Sequence, residues 1–150
     1  MDGRSVLLCA VLMAVTGTAR AETYTWTAGY RWSEGAWAPN TPAAGGGAGT
    51  ALVFAGANEW ATENDLGEFA LTSLDFASGT GSISGSKLIF TAAGETLPMI
   101  HADLLSVFAV PIELAADTVV TADTEIQFNT SISGPGALRV LNTAFDGGGK

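Results

Sequence analysis

This sequence is short of the residues most chemistry needs. It has one cysteine, one histidine and six basic residues in 150, and only 14% of positions are charged. Cys9 lies near the start, so from residue 10 onward no disulfide can form within the chain and a fold must rest on its core. One histidine and no later cysteine exclude a structural zinc site of the usual kind. His101 has no Ser, Cys or Asp constellation in its sequence neighbourhood that would suggest a triad. Fifteen acidic against six basic residues exclude nucleic acid and anionic lipid as expected partners, because phosphates are met by Lys and Arg. No apolar run reaches the ~20 residues a spanning helix needs.

What is present starts with "MDGRSVLLCAVLMAVTGTARA". Arg4, the apolar stretch Val6–Val15 and Ala19-x-Ala21 follow the order of a secretory signal peptide, so residues 1–21 are expected to be removed. Cys9 sits inside the apolar stretch, too early for a lipoprotein cleavage point. Losing Asp2, Arg4 and Arg20 moves the formal charge from −9 to −10. Hydrophobic residues make up 47% of the chain, which is enough for a packed core in one domain or one piece of a larger one.

The remainder reads as short alternating runs punctuated by 19 glycines and by Ser, Asn, Asp and Thr. In "FALTSLDF" the apolar positions Phe69, Leu71, Leu74 and Phe76 slip phase at Thr72–Ser73, as at a bulge or corner. In "TVVTADTEIQF", Ile126 and Phe128 fall on one face, Glu125 and Gln127 on the other. "HADLLSVF" is the one stretch with helical character. Runs end at Phe54, Phe76, Phe90, Leu114, Phe128 and Val140. These spacings suit turns of about 20–25 residues in a stacked solenoid of roughly five coils over residues 23–140. The inward residues would be Phe54, Leu74, Phe76, Leu88, Phe90, Ile112, Ile126, Phe128, Ile132 and Leu138. "SISG" occurs twice, at Ser82–Gly85 and Ser131–Gly134. Ile83 and Ile132 are expected inside, and Gly85 and Gly134 at equivalent corners of successive coils. A two-sheet antiparallel sandwich would satisfy the same alternation.

The blocks "YTWTAGYRWSEGAWAPNTPAAGGGAGTALVFAG", "NDLGEFALTSLDFASGTGSISGSKLIF" and "VPIELAADTVVTADTEIQFNTSISGPGALRV", in that order, resemble the autotransporter-associated β-strand repeats of bacterial surface proteins. The resemblance implies an all-β fold, a right-handed parallel β-helix or β-solenoid with an aromatic-rich N-terminal cap. It implies an exported, non-catalytic, adhesin-like module in the periplasm, at the cell surface or outside the cell. "LNTAFDGGGK" keeps only the asparagine-to-glycine piece of the family's continuation, which implies a short or truncated member without its own barrel. The organisation expected is a signal peptide (1–21), an aromatic cap with a flexible Gly/Ala/Pro-rich linker (22–50), solenoid coils (51–140) and a disordered glycine-rich tail (141–150).

Candidate chemistry is thin. Trp26, Trp32 and Trp37, with Tyr24 just before them and Tyr30 between, read either as a hydrophobic cap or as a platform stacking on sugar rings. Glu63, Asp65 and Glu68 with Asn64 suggest a calcium loop, but Leu66 interrupts the ligand pattern and a solvated turn is the expectation. Asp117, Asp123 and Glu125 are candidate carboxylates of a polysaccharide-active β-helix. Arg31, Lys87, Arg139, Lys150 and His101 are scattered along the chain rather than beside them. No cofactor, metal site or catalytic residue is expected. Surface glycans, other surface proteins and end-to-end stacking of copies are the partners considered. Mass spectrometry of the exported protein should find Glu22 as the first residue, and retention of Met1 would refute the signal peptide.

Overall fold

A computed structural model describes residues 21–142. The signal-peptide stretch before Ala21, with Cys9, and the tail from residue 143 lie outside the described residues. The chain is a β-solenoid of four turns, each built from strands on three sides. The first side carries β1 (Glu22–Ala28), the start of β3 (Thr50–Asn64), the start of β5 (Ser73–Gly85), β7 (Met99–Ala102), β10 (Thr118–Ala122) and β13 (Leu138–Asn142). The second carries the ends of β3 and β5, then β8 (Ser106–Ala109) and β11 (Ile126–Phe128). The third carries β4 (Phe69–Leu71), β6 (Leu88–Phe90), β9 (Ile112–Leu114) and β12 (Ile132–Ser133).

Every pairing between successive turns is parallel. An antiparallel sandwich is therefore excluded. The only antiparallel strand pair among the described residues is β1 with β2 (Ala36–Ala38), at the N-terminal end. Parallel register stacks like positions into columns. Tyr24, Leu52, Leu74, Ile100, Val120 and Val140 form one; Trp26, Phe54, Phe76 and Ala102 form the next. The third side stacks Phe69, Leu88, Ile112 and Ile132 beside Leu71, Phe90 and Leu114. Alternation within each strand points these residues inward, and all but Val140 and Ile132 are buried. Burying a Leu, Ile or Phe side chain contributes about 1.5–3 kcal/mol, so the columns hold the turns together without a disulfide.

Several expectations are corrected. The stack has four full turns rather than five, with β1 and the Gly45–Gly47 segment adding part of a turn below them and β13 a single strand above. The solenoid also extends beyond 51–140 at both ends, since β1 stacks on β3 and β13 runs to Asn142. "TPAAGGGAG" is not a loose linker. Gly47 N–H donates to Ala70 C=O at 2.8 Å, Ala70 N–H donates to Gly45 C=O at 2.9 Å, and Gly46 bridges Ala70 in parallel. A side chain at Gly46 would strike the Phe69 ring, so glycine lets this segment serve as the third side below β4. "HADLLSVF" is not helical: it closes β7, bends at Asp103–Leu104 and opens β8, with Ser106 and Phe108 inward. The described residues hold no α-helix and a single 3-10 turn, Trp32–Glu34.

The two "SISG" copies do not stack on one another. Ile83 lies on the second side between Thr62 and Phe108, whereas Ile132 lies on the third side above Ile112. Ile83 is buried, but Ile132 is 40% exposed because it belongs to the last described strand of its column. The glycines share a physical role at different corners. Gly85 (φ +98°) and Gly134 (φ +103°) both take left-handed backbone and press on the preceding turn, Gly85 on Asn64 and Gly134 on Leu114. Gly85→Ala should lose about 1–3 kcal/mol in urea unfolding, from backbone strain plus a Cβ 2.5 Å from Asn64 C=O. Gly94→Ala, at φ +60° in open space, should lose less than Gly85→Ala. Equal losses would remove the close-approach argument.

Candidate functional site

The aromatic end was the strongest sequence candidate, and the structure makes most of it interior. Trp26 and Trp32 are buried, and Trp37 is half-buried against them. Trp32 meets Trp37 edge-on at 5.7 Å and Phe69 edge-on at 5.4 Å. The Trp37 indole N–H donates to Trp32 C=O at 2.9 Å. A ring enclosed on both faces cannot stack on a sugar, so Trp26 and Trp32 leave the platform reading without its surface. They close the first turn. The indole N–H groups of both are buried with no hydrogen-bond partner among the described residues, at a cost of about 1–3 kcal/mol each.

Trp60, which sequence reasoning passed over, completes this end. It stacks on Phe54 (5.3 Å, 16°) and Phe76 (5.7 Å, 12°) and donates its indole N–H to Ser78 C=O at 3.1 Å. Its ring occupies the space a side chain at Gly81 would need. A side chain at Gly56 or Gly79 would also strike this ring, so three glycines accommodate one tryptophan. The half-buried edge of Trp60 opens into a groove of about 460 Å³ with Thr27, Tyr30 and Ala57. Only Tyr30, 61% exposed, presents a free aromatic ring there.

The acidic candidates do not converge. Asn64 is buried, donating to Gly67 C=O and Ser86 C=O (both 2.9 Å) and accepting from Leu66 N–H. It is an internal corner bracket, not part of a solvated turn. Its neighbours diverge: Asp65 accepts from Ser33 N–H at 2.9 Å, Glu63 pairs with Arg31, and Glu68 pairs with Lys87 at 3.1 Å. That is not a calcium loop, and no group of three metal-ligating side chains occurs among the described residues. Lys87 also holds Glu113 of the next turn at 2.7 Å. Asp117 accepts from Ala137 N–H at 3.0 Å and from Arg139 at 2.9 Å, and these two bonds, the Ala137 one foremost, hold its carboxyl below the usual range. Glu125 accepts from Gln127. The cleft that Glu125 lines includes neither Asp117 nor Asp123 and no basic residue. These ion pairs lie at the surface, where solvent and salt screening leave them little net stabilisation.

One polar cluster was invisible in the sequence. His101 Nδ1 lies 2.8 Å from Thr121 Oγ1 of the next turn, and its Nε2 lies 2.9 Å from Asp103 Oδ1. Asp75, in register with His101 on the preceding turn, has one buried carboxyl oxygen with no partner. A hydroxyl, an imidazole and a carboxylate in a row have the connectivity of a triad. Here the row lies on the outer face of the first side, away from the grooves and clefts at the two ends of the stack. The His101–Thr121 contact ties two successive turns together. Burial raises the Asp75 carboxyl, with the nearby Asp103 adding to the rise and His101 opposing it.

In comparison with family models, curated proteins and solved structures, nothing matches this chain.

A raised Asp75 favours the folded state at acid pH, and that contribution is lost as pH rises through the folded-state value. Asp75→Asn should therefore raise Tm at pH 7, by about 2 °C given solvent screening of a half-exposed group. It should change Tm little near pH 3. Differential scanning calorimetry at both pH values checks this. An equal loss of Tm at both would show that the carboxylate is satisfied as it stands.

Proposed function

We propose that this chain is an exported, non-catalytic structural module of adhesin-like, autotransporter-passenger type, working in the periplasm, at the cell surface or outside the cell. One observation carries the reading: the outward polar side chains are used for contacts within the stack instead of being aimed together at a ligand. Lys87–Glu113, Asp117–Arg139, Asp65–Ser33 and His101–Thr121 all link residues 20 to 32 apart, one turn or so along the axis. A surface built this way stiffens a spacer. The export signal read in residues 1–21, the acidic balance and the resemblance to surface repeats support the location. Self-association through an end of the stack, and contact with other surface proteins, fit the same role. Among the described residues no helix is long and apolar enough to cross a membrane.

Glycan binding remains a second reading because of the groove beside Trp60 and the exposed Tyr30. Trp37 keeps a partly open edge at the same end. Hydrolysis of a polysaccharide is a weaker reading, because Asp117 is already held by Arg139 and Glu125 by Gln127. A glycan array and a reducing-sugar assay on the full chain separate the three. The structural reading expects neither saturable binding nor product. Micromolar glycan binding abolished by Tyr30→Ala would replace it with the lectin reading. Sugar release abolished by Asp117→Asn would replace it with an enzyme.

A further inference from the structure

The chain has five asparagines, Asn40, Asn58, Asn64, Asn129 and Asn142. Only Asn129 is followed two residues on by a hydroxyl side chain, in the triplet Asn129–Thr130–Ser131. That triplet, with no proline in the middle, is the acceptor pattern for sugar attachment to an asparagine amide on the surface of secreted proteins. Such triplets also arise by chance, so the place of this one in the fold decides its meaning.

The triplet forms the corner between β11 and β12. Phe128, the last residue of β11, stands in register on Phe108 and packs partly against the core. Asn129 therefore continues the outward column of Glu63, Ser84 and Ala109. Asn129 and Ser131 are both exposed, with the half-buried Thr130 between them. The backbone is held without help from these side chains. Asn129 N–H donates to Phe108 C=O at 2.8 Å, and Ile112 N–H donates to Ser131 C=O at 3.0 Å. Among the described residues neither the Asn129 carboxamide nor the Ser131 hydroxyl has a hydrogen-bond partner. Asn64 is the contrast: it is buried, and its amide nitrogen is committed to Gly67 C=O and Ser86 C=O.

We propose that Asn129 is a site of N-linked sugar attachment, presented by the corner between the second and third sides. The inference rests on the export reading in the proposed function. The co-substrate is a sugar activated at its anomeric carbon by a phosphate or diphosphate leaving group. The Asn129 amide nitrogen bonds to that carbon, the carbon–oxygen bond to phosphate breaks, and phosphate departs with the bonding electron pair. One amide proton passes to a base of the transferring enzyme. Ser131 is the residue that enzyme reads, since its hydroxyl is exposed beside the amide. A sugar on an outward position projects from the stack and displaces nothing from the inner columns, so fold and modification are compatible.

The test is peptide mapping by mass spectrometry on the full chain recovered from the cells that produce it. The expected result is a peptide spanning Asn129 that is heavier by one or more sugar residues. Enzymatic release in heavy-oxygen water should convert the Asn129 side chain to a labelled carboxylate. A lipid-linked donor delivers a preassembled oligosaccharide and a nucleotide-linked donor a single sugar, so the added mass tells the two sources apart. Ser131→Ala should abolish the modification and Ser131→Thr should retain it, with the far-UV circular dichroism unchanged in both. Asn129→Gln, whose amide lies one methylene further out, should abolish it as well. A chain that begins at Glu22 with Asn129 wholly unmodified overturns the proposal and leaves the export reading in place. An unmodified chain that keeps Met1 overturns both. Sugar that persists in Ser131→Ala, or that lies on another residue, overturns the assignment of the site.

Discussion

The whole structure depends on parallel, in-register hydrogen bonding between one turn and the next. A strand whose side chains alternate in and out places its inward residues directly above those of the turn below. The columns at Leu52–Leu74–Ile100–Val120 and Phe54–Phe76–Ala102 follow from that alone. So does the demand for small residues wherever a large ring must lie across a neighbouring column. Gly56 and Gly81 answer the demand at Trp60. The corners raise a second demand, because backbone groups there leave the ladder but remain inside. Thr72 meets it by accepting from Gly49 N–H at 2.8 Å and donating to Thr91 C=O at 2.9 Å. Asn64 meets it with three bonds to Leu66, Gly67 and Ser86. Buried Ser106 and Thr118 each donate to a carbonyl two residues earlier, at 3.0 Å.

Alternation is a local property, and what it carries was legible. Phe54, Leu74, Phe76, Leu88, Phe90 and Ile112 are inside as their patterns require, and Ile126, Phe128 and Leu138 pack partly against the core. The break at Thr72–Ser73 is a corner between β4 and β5. Register is not local. Corresponding residues along the first column lie 28, 22, 26, 20 and 20 apart, from Tyr24 through Leu52, Leu74, Ile100 and Val120 to Val140. An identical tetrapeptide therefore need not occupy an identical place. The second "SISG" falls on a different side from the first, which is why Ile132 differs from Ile83. "HADLLSVF" misled for a related reason. Its Leu104 and Leu105 flank a bend between two short strands, and an apolar pair at a bend mimics helical spacing.

The polar clusters were hidden by the same variable period. Lys87 and Glu113 are 26 residues apart, Asp117 and Arg139 are 22 apart, and His101 and Thr121 are 20 apart. No fixed window finds all three. The signal that could have found them is charge complementarity at one turn length, which becomes usable once the turns have been delimited. The tryptophans illustrate the opposite limit. Their clustering in sequence marked a closed end, but composition does not tell an enclosed ring from an open one. Tyr30 and Trp32 are near neighbours of similar type; one is exposed and the other is at 0%.

Turn length and core filling change together along the axis. The early turns hold Trp26, Trp32, Phe54, Phe69, Phe76 and Phe90, and adjacent residues in the first column are 22 to 28 apart. By β7 and β10 the same columns have contracted to Ala102 and Val120, and the spacing has settled at 20. The 20-residue turns still enclose one ring, the buried Phe108, which stacks on Phe128 at 5.1 Å. Because each turn touches only its neighbours, stability along a solenoid is the sum of local terms. The aromatic end carries the larger burial terms, and among the described residues the last strand, β13, has a neighbour on one side only. Opening should therefore start at β13 and progress toward β10, while the β1–β3 ladder and its tryptophans hold longest. Among the described residues that end also carries the unpaired strand edge, so a strand docked on β13 would stabilise the turns where local stability is lowest.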